Sequence, residues 1–385
     1  MTETKVMKPA ITFTRRGIVE GFFGPLWTMA HRRALFAFGA ARGMNTYVYA
    51  PKDDPYHRER WTKPYPPAQW RALSQLIREA QAHRIDFVYG FHPGKGLCFS
   101  AAEPLQVLLS KAQRFYDTGV RTFAILFDDI PSHLEHATDR KRFDQSLARA
   151  EGTWLAEIES RQPPSWRGVE WWICPSYYTP DPWLARVFGR FEPRFLQALA
   201  RHLPSGIPCF WTGPAVVSKQ ITLGHMRRIA RQLKHPLVLW DNYPVNDLSM
   251  SDELHIGPLS GRDSRLPEAV FGYLSNPLLQ EALSFVPLAT CFDYAADPER
   301  YAAESSWQKI IRQRFGPNAL PHWQAIRAFS MAHQRAKKTR RPVSLSKPEQ
   351  LRLAEAVSYI RDHRNEAWAR ELRPWLKFMI SLVAR

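Results

Sequence analysis

Eight short apolar or β-branched runs punctuate the chain as far as Asn276: residues 17–23, 46–51, 86–92, 122–129, 170–178, 208–214, 236–242 and 269–276. Each has about the length of a strand, and most are apolar nearly throughout, as strands covered on both faces of a parallel sheet are. Helix-period segments separate most of them. Thr28 stands where an N-cap belongs for a helix running to Arg42, and Gly43 suits its left-handed stop. Trp70, Leu73, Leu76, Ile77 and Ala80 share one helical face; Leu108, Leu109, Ala112, Phe115 and Tyr116 share another before Gly119. Strands alternating with helices in this way predict an α/β chain, a (β/α)8 TIM barrel over residues 15–298. One unit departs from the ideal. Residues 247–268 carry Gly257, Pro258, Gly261 and Pro267 and read as a long loop between the seventh and eighth strands. Residues 1–14 read as a tail. Residues 299–385 read as a C-terminal helical appendage, with breaks at Gly316-Pro317, at Arg341-Pro342 and near Pro348. No internal repeat, heptad pattern or low-complexity tract stands out.

Composition narrows the class. The 385 residues are 45% hydrophobic and 23% charged, which is the balance of a globular protein and excludes general disorder. No run approaches the ~18 apolar residues of a membrane span, and residues 1–16 lack the apolar core of a secretory signal. Cys98, Cys174, Cys209 and Cys291 lie too far apart for a zinc motif or a disulfide framework, so a reducing cytoplasm fits best. The net charge of +17 is a footprint for phosphate binding, while 14 Trp, 13 Tyr and 22 Phe suit either bases or sugar rings. The charge is unevenly placed: residues 301–385 hold 17 Lys+Arg against 6 Asp+Glu. The basic helices therefore suggest an anionic partner or surface for the appendage, and say little about the barrel.

In a barrel of this type chemistry gathers where strands run into their βα loops. Those ends carry Glu20-Gly21, Lys52-Asp53-Asp54, Asp128-Asp129, Ser176-Tyr177-Tyr178, Thr212-Gly213, Trp240-Asp241-Asn242 with Asn246-Asp247, and Ser275-Asn276. The Asp128-Asp129 pair is the most informative. Two adjacent carboxylates repel, so one keeps its proton to higher pH and can serve as a general acid while the other stays charged. Side chains from neighbouring positions point apart and cannot simply flank one bond. That geometry suits hydrolysis in which a sugar's own 2-acetamido oxygen is the nucleophile, one Asp orienting the acetamide and the other serving the leaving oxygen. The same pair would also suit a helix cap or a divalent-metal ligand. Asp53-Asp54 competes with it, but an Asx turn or pairing with Arg58 accounts for those residues. His57 and His92 read as structural, and Trp240 and Tyr178 on their own would read as core aromatics. Gly94-Lys95-Gly96 lacks the rest of a phosphate loop, and no dinucleotide fingerprint appears.

Taken in order, the motifs resemble a family. Gly17-Ile18-Val19-Glu20-Gly21-Phe22-Phe23-Gly24, the run from Met44 through Ala50-Pro51-Lys52-Asp53-Asp54 to Arg58, Phe127-Asp128-Asp129-Ile130, Trp211-Thr212-Gly213-Pro214, Trp240-Asp241-Asn242, Asn246-Asp247, Gly257-Pro258 and Leu274-Ser275-Asn276-Pro277 are similar to family 84 of the glycoside hydrolases. These are β-N-acetylglucosaminidases, protein O-GlcNAc hydrolases among them. The resemblance covers about residues 15–295. It implies a retaining exo-hydrolase of terminal β-GlcNAc with neither metal nor organic cofactor. It also implies roles: Asp128 holds the acetamido N–H, and Asp129 is the acid and then the base. Tyr178 bonds the acetamido oxygen, Trp240 walls the acetamide pocket, and Asn242 supports the carboxylate and acetamide. The Gly21 carbonyl, Lys52, Asp247 and Asn276 hold sugar hydroxyls. The sequence departs from relatives at Phe23, where a tyrosine is common, at Pro25-Leu26-Trp27, where the proline is shifted by one, and at Tyr177, where an acidic residue is frequent. Two other readings follow from the same residues: a protein that binds amino sugars or O-GlcNAc proteins without turnover, and a nucleic-acid binder using the basic helices.

Overall fold

The computed structural model describes residues 11–383. The expected tail of residues 1–14 falls mostly outside that range. Eight parallel strands close into a barrel in sequence order: β1 (Arg15–Glu20), β2 (Thr46–Tyr49), β3 (Asp86–Phe91), β4 (Thr122–Leu126), β5 (Glu170–Cys174), β6 (Cys209–Trp211), β7 (Leu237–Asp241) and β8 (Gly272–Ser275). β8 returns to β1 with Ile18 opposite Ser275, so the sheet has no edge. Each strand is shorter than its apolar run, because the polar ends of the runs leave the ladder and form the βα loops. Thr28 caps the helix Met29–Ala40 by accepting the His31 N–H at 3.1 Å, and Gly43 takes φ +82°, where a side chain would be strained.

Strand alternation sorts side chains into two cores. Val19, Val48, Val88, Ala124, Trp172, Phe210, Val238 and Leu274, one from each strand, fill the barrel interior. Their neighbours, among them Ile18, Tyr47, Phe87, Phe123, Trp171, Trp211, Leu239 and Tyr273, pack outward against the helices. Two polar strand-end residues belong to the outer set and are satisfied there. Glu20 is buried against Arg32 (2.5 and 2.9 Å) and the Tyr47 hydroxyl; Asp241 is buried against Arg262 (2.5 and 2.8 Å) and the Tyr273 hydroxyl (3.0 Å).

Between β7 and β8 the chain makes only two single 3-10 turns, Leu248–Met250 and Leu266–Glu268, as its glycines and prolines predict. The C-terminal helices Ala303–Phe315, Leu320–Thr339, Lys347–Asp362 and Arg373–Val383 cover this loop where a barrel helix would lie. Leu254 and Ile256 of the loop join one apolar cluster with Trp307, Trp323, Phe329 and Leu353, and with Leu283 and Val286 of the helix Glu281–Ala296. The loop carbonyls are claimed as well: Trp307 Nε1 donates to Ile256 O (2.7 Å), Trp375 Nε1 to Asp252 O (2.7 Å), and Ser330 to Leu254 O. Glu371 accepts the Ala282 and Leu283 N–H groups (2.9 Å each) at the start of the helix Glu281–Ala296. Pro348 lies in the first turn of its helix, so that break is the helix start. No helix among the described residues is long and apolar enough to cross a membrane.

Candidate active site

A cavity of about 400 Å3 opens at the C-terminal ends of the strands, and Gly21, Lys52, Asp128, Asp129, Tyr178, Trp240, Asn242, Asp247 and Asn276 all line it. The alternation of the strands explains most of this convergence. Val19 to Gly21, Val48 through Ala50 to Lys52, Leu126 to Asp128, Val238 through Trp240 to Asn242, and Leu274 to Asn276 each step by two residues along the inward face. Each polar residue is the continuation of an apolar column of the barrel interior.

Asp129 lies off this parity and reaches the cavity by a backbone turn. Its φ is +62°, the left-handed region that Asp tolerates better than most side chains. The two carboxylates therefore diverge. Asp128 is buried and accepts a hydrogen bond from Lys52 Nζ, while His92 Nε2 lies 2.9 Å from the Asp128 carbonyl. Asp129 Oδ1 accepts the Tyr178 hydroxyl at 2.9 Å. Burial would push both carboxyls up. At Asp128 the Lys52 ammonium overrides burial and holds the group below the ordinary carboxylate value. At Asp129 burial and the charge of Asp128 act together and raise it. Asp128 Oδ1, also buried, has no hydrogen-bond partner among the described residues and is a free acceptor.

The opposite wall is one hydrogen-bonded sheet of side chains. Trp240 Nε1 donates to Asn242 Oδ1 (3.0 Å), Asn276 Nδ2 to the same oxygen (2.9 Å), and Asn242 Nδ2 to Val216 O (2.8 Å). Asn276 Oδ1 in turn accepts the Gly21 N–H at 3.2 Å. The Asn242 amide is thus tied to the wall, and among the described residues its hydrogen bonds go to Trp240, Asn276 and Val216 and to neither carboxylate. Asp247 Oδ2 accepts the Phe23 N–H at 2.8 Å, and burial raises that carboxyl.

Other sequence expectations resolve outside the cavity. Asp54 makes the Asx turn to the Tyr56 N–H (2.9 Å) and is buried under the Tyr49 and Tyr65 hydroxyls (2.6 and 2.7 Å). Arg58 does not pair with it, and lies over the Phe23 ring at 4.9 Å. Tyr177 turns away into Phe191, Phe195 and Trp211. His57 is buried, with Nδ1 2.8 Å from Gly90 O. His92 is also buried, and burial with the Lys52 charge lowers it to about 3, so it is a neutral prop for the Asp128 backbone. Sequence reasoning missed that contact, although His92 ends an apolar run. It missed Glu151 too, a buried carboxyl under the Ser176 N–H (3.3 Å) that burial pushes up to about 8. Thr212, among the polar strand-end residues of the sequence but given no role there, lines the cavity from the inward parity of β6. Among the described residues no group of three His, Cys, Asp or Glu side chains converges to hold a metal ion.

Comparison with known proteins agrees with this geometry. A beta-N-acetylglucosaminidase family model matches residues 16–330. The protein O-GlcNAcases of Mus musculus and Rattus norvegicus are each 33% identical over 276 residues, 71% of this chain and 29% of theirs; the chain therefore spans under a third of those relatives. The solved structure of a mutant O-GlcNAc hydrolase from Thermobaculum terrenum superposes with a TM-score of 0.83 at 32% identity, covering 95% of this chain and 81% of that one. With the closed barrel, the diverging carboxylates at the end of β4 and a family match across most of the chain, this protein belongs to the β-N-acetylglucosaminidases of glycoside hydrolase family 84.

Proposed function

We propose that the chain is a retaining exo-β-N-acetylglucosaminidase that removes terminal β-GlcNAc, including O-GlcNAc on protein Ser or Thr, by substrate-assisted catalysis. The observation that carries the reading is the Asp128-Asp129 pair, one carboxyl held low by Lys52 and its neighbour raised by burial and by the charge of Asp128. Asp128 accepts the acetamido N–H on its free Oδ1, which makes the acetamido oxygen the better nucleophile. That oxygen attacks C1 as Asp129 transfers its proton to the departing glycosidic oxygen, leaving a protonated oxazoline whose N–H stays on nitrogen, paired with the Asp128 carboxylate. Asp129, now a carboxylate, takes a proton from the water that attacks C1 from the vacated side. The ring opens, the acetamide is restored, and the anomeric configuration is retained. With substrate bound, Tyr178 turns its single hydroxyl hydrogen from Asp129 to the acetamido oxygen, and the Trp240 ring supplies the apolar wall for the acetamide methyl group. The Gly21 carbonyl, Lys52, Asp247 and Asn276 take the sugar hydroxyls, and Asn242 holds Trp240 and Asn276 in place. No step needs a metal or organic cofactor. Four cysteines without disulfides support a reducing, cytoplasmic setting.

The test is hydrolysis of 4-nitrophenyl β-GlcNAc. Asp129→Ala is expected to slow glycosides with poor leaving groups by ~10²–10⁴-fold and aryl glycosides with good ones much less. Full activity in both Asp128→Asn and Asp129→Asn would overturn the reading. Tight GlcNAc binding without turnover by the unaltered chain would show a binding protein instead.

A further inference from the structure

Glu151 is a buried carboxyl that the reaction written above does not use. It lies on the packed face of the helix Leu147–Arg161, between Ala150 and Gly152. That helix is held close to its neighbour: a Cβ at Gly152 would lie 2.8 Å from His202 Cβ and 3.1 Å from the Leu199 carbonyl, both on the helix Phe195–His202. The charge that acts on Glu151 is another acid, Glu192, itself engaged with the Ser146 hydroxyl (3.0 Å) and the Ala148 N–H (2.8 Å). Burial, with Glu192 adding to it, pushes Glu151 up to about 8, so near neutral pH it is an uncharged acid.

The carboxyl holds one backbone amide. Both of its oxygens lie 3.3 Å from the Ser176 nitrogen. β5 ends at Cys174, whose carbonyl accepts the Phe127 N–H at 2.8 Å, and Pro175 has no N–H to give. The chain is next caught at Tyr178, whose carbonyl accepts the Thr212 N–H at 3.2 Å, and at Thr179, whose hydroxyl donates to Gly213 O at 3.1 Å. Between these points the tie is the Ser176 N–H, made to a side chain on a tightly packed helix. Two residues on, Tyr178 donates to Asp129 Oδ1 at 2.9 Å. Packing alone would be served better by an apolar side chain, since a carboxyl without a cation loses its hydration on burial.

We infer that Glu151 is a positioning residue for the hydrolysis: by fixing the Ser176 N–H it sets the strand end that presents the Tyr178 hydroxyl to Asp129 and to the acetamido oxygen. Glu151 does not line the cavity and acts through Tyr178. This rests on the hydrolase reading above and adds a residue behind its active site.

The experiment compares kcat and KM for 4-nitrophenyl β-GlcNAc in Glu151→Gln, Glu151→Asn and Glu151→Met, each with and without Tyr178→Phe. Urea unfolding establishes that each variant is folded. Glu151→Gln keeps a neutral acceptor at the same reach and is expected to stay within about twofold of the unaltered chain. Glu151→Met fills the site without an acceptor. It is expected to lower kcat about tenfold with KM nearly unchanged, within what a displacement of under an ångström can cost. Glu151→Asn withdraws the acceptor by one methylene; it is expected to fall between the two and carries the test if the Met variant does not fold. In the Tyr178→Phe background the same change is expected to cost less than about twofold further, because the hydroxyl it positions is gone. A kcat loss of equal size in both backgrounds would overturn the inference. So would an unaltered kcat in the Met and Asn variants, or a loss in Glu151→Gln as large as in Glu151→Met. In each of those cases hydrolysis by the unaltered chain leaves the parent reading standing. Failure of the unaltered chain to hydrolyse the substrate would overturn the parent reading itself.

Discussion

Tyr178 donates its hydroxyl hydrogen to Asp129 Oδ1 across 2.9 Å, so the proposed acid sits in a bond that favours its ionised form. Burial and the Asp128 charge outweigh that bond and keep the Asp129 carboxyl raised. Tyr178→Phe removes the opposing influence and raises it further. Because Asp129 must be protonated to act, the alkaline limb of kcat/KM is expected to move to higher pH in this variant. The rate at the optimum is expected to fall ~10²-fold, since the same hydroxyl is the donor proposed for the acetamido oxygen. A pH profile of 4-nitrophenyl β-GlcNAc hydrolysis separates the two effects; an unmoved alkaline limb would contradict the coupling.

Lys52 governs the other limb. Asp128 must be ionised, and the Lys52 ammonium holds its folded-state value below that of the unfolded chain. The stabilisation from this pair is therefore complete above the ordinary Asp value of ~3.9 and is lost as pH falls through the lower folded value. Lys52→Met leaves burial to dominate and reverses the sign. The acid limb of kcat/KM is expected to move to higher pH, and stability at neutral pH to fall by roughly 3–5 kcal/mol, recovering on acidification as Asp128 takes up a proton. Urea unfolding at several pH values checks this.

Gly21 shows how closely the wall is fitted. A Cβ at this position would lie 2.2 Å from Trp240 Cζ2, inside the ring that forms the apolar wall. Gly21→Ala is expected to displace Trp240, break its bond to Asn242, raise KM, and cost ~1–3 kcal/mol as overpacking does. Intrinsic tryptophan fluorescence reports the displaced ring directly. A variant with wild-type KM and an unshifted spectrum would show that Trp240 has room to yield.

Much of this site was legible because a barrel strand carries a period of two. Once Val19, Val48, Leu126, Val238 and Leu274 are taken as inward, the same count reaches Gly21, Lys52, Asp128, Asn242 and Asn276 without further information. The count also separates Asp241 and Glu20, which look like candidates and are outward ion pairs. Asp129 could not be reached this way, since its access depends on a left-handed turn that the residue names do not announce. The appendage was recognised as helical, but its role was not. A segment that shares its apolar cluster with the barrel has no signature in its own periodicity.

That shared cluster yields the last prediction. Trp307 Nε1 and Trp375 Nε1 hold the carbonyls of Ile256 and Asp252, and the loop bearing these residues also carries Asp247, Leu248 and Ser249 into the cavity. Trp307→Phe keeps most of the buried area but leaves the Ile256 carbonyl unpaired in an apolar setting, a loss of about 1–3 kcal/mol. The loosened loop no longer holds Asp247 against the Phe23 N–H, so KM for 4-nitrophenyl β-GlcNAc is expected to rise more than kcat falls. Trp307→Leu is expected to cost more, through the cavity it leaves among Ile256, Trp323 and Ile326. An appendage that merely followed the barrel would allow both changes with KM untouched. Paired KM and denaturation measurements on the two variants distinguish a scaffold for the cavity wall from a passenger.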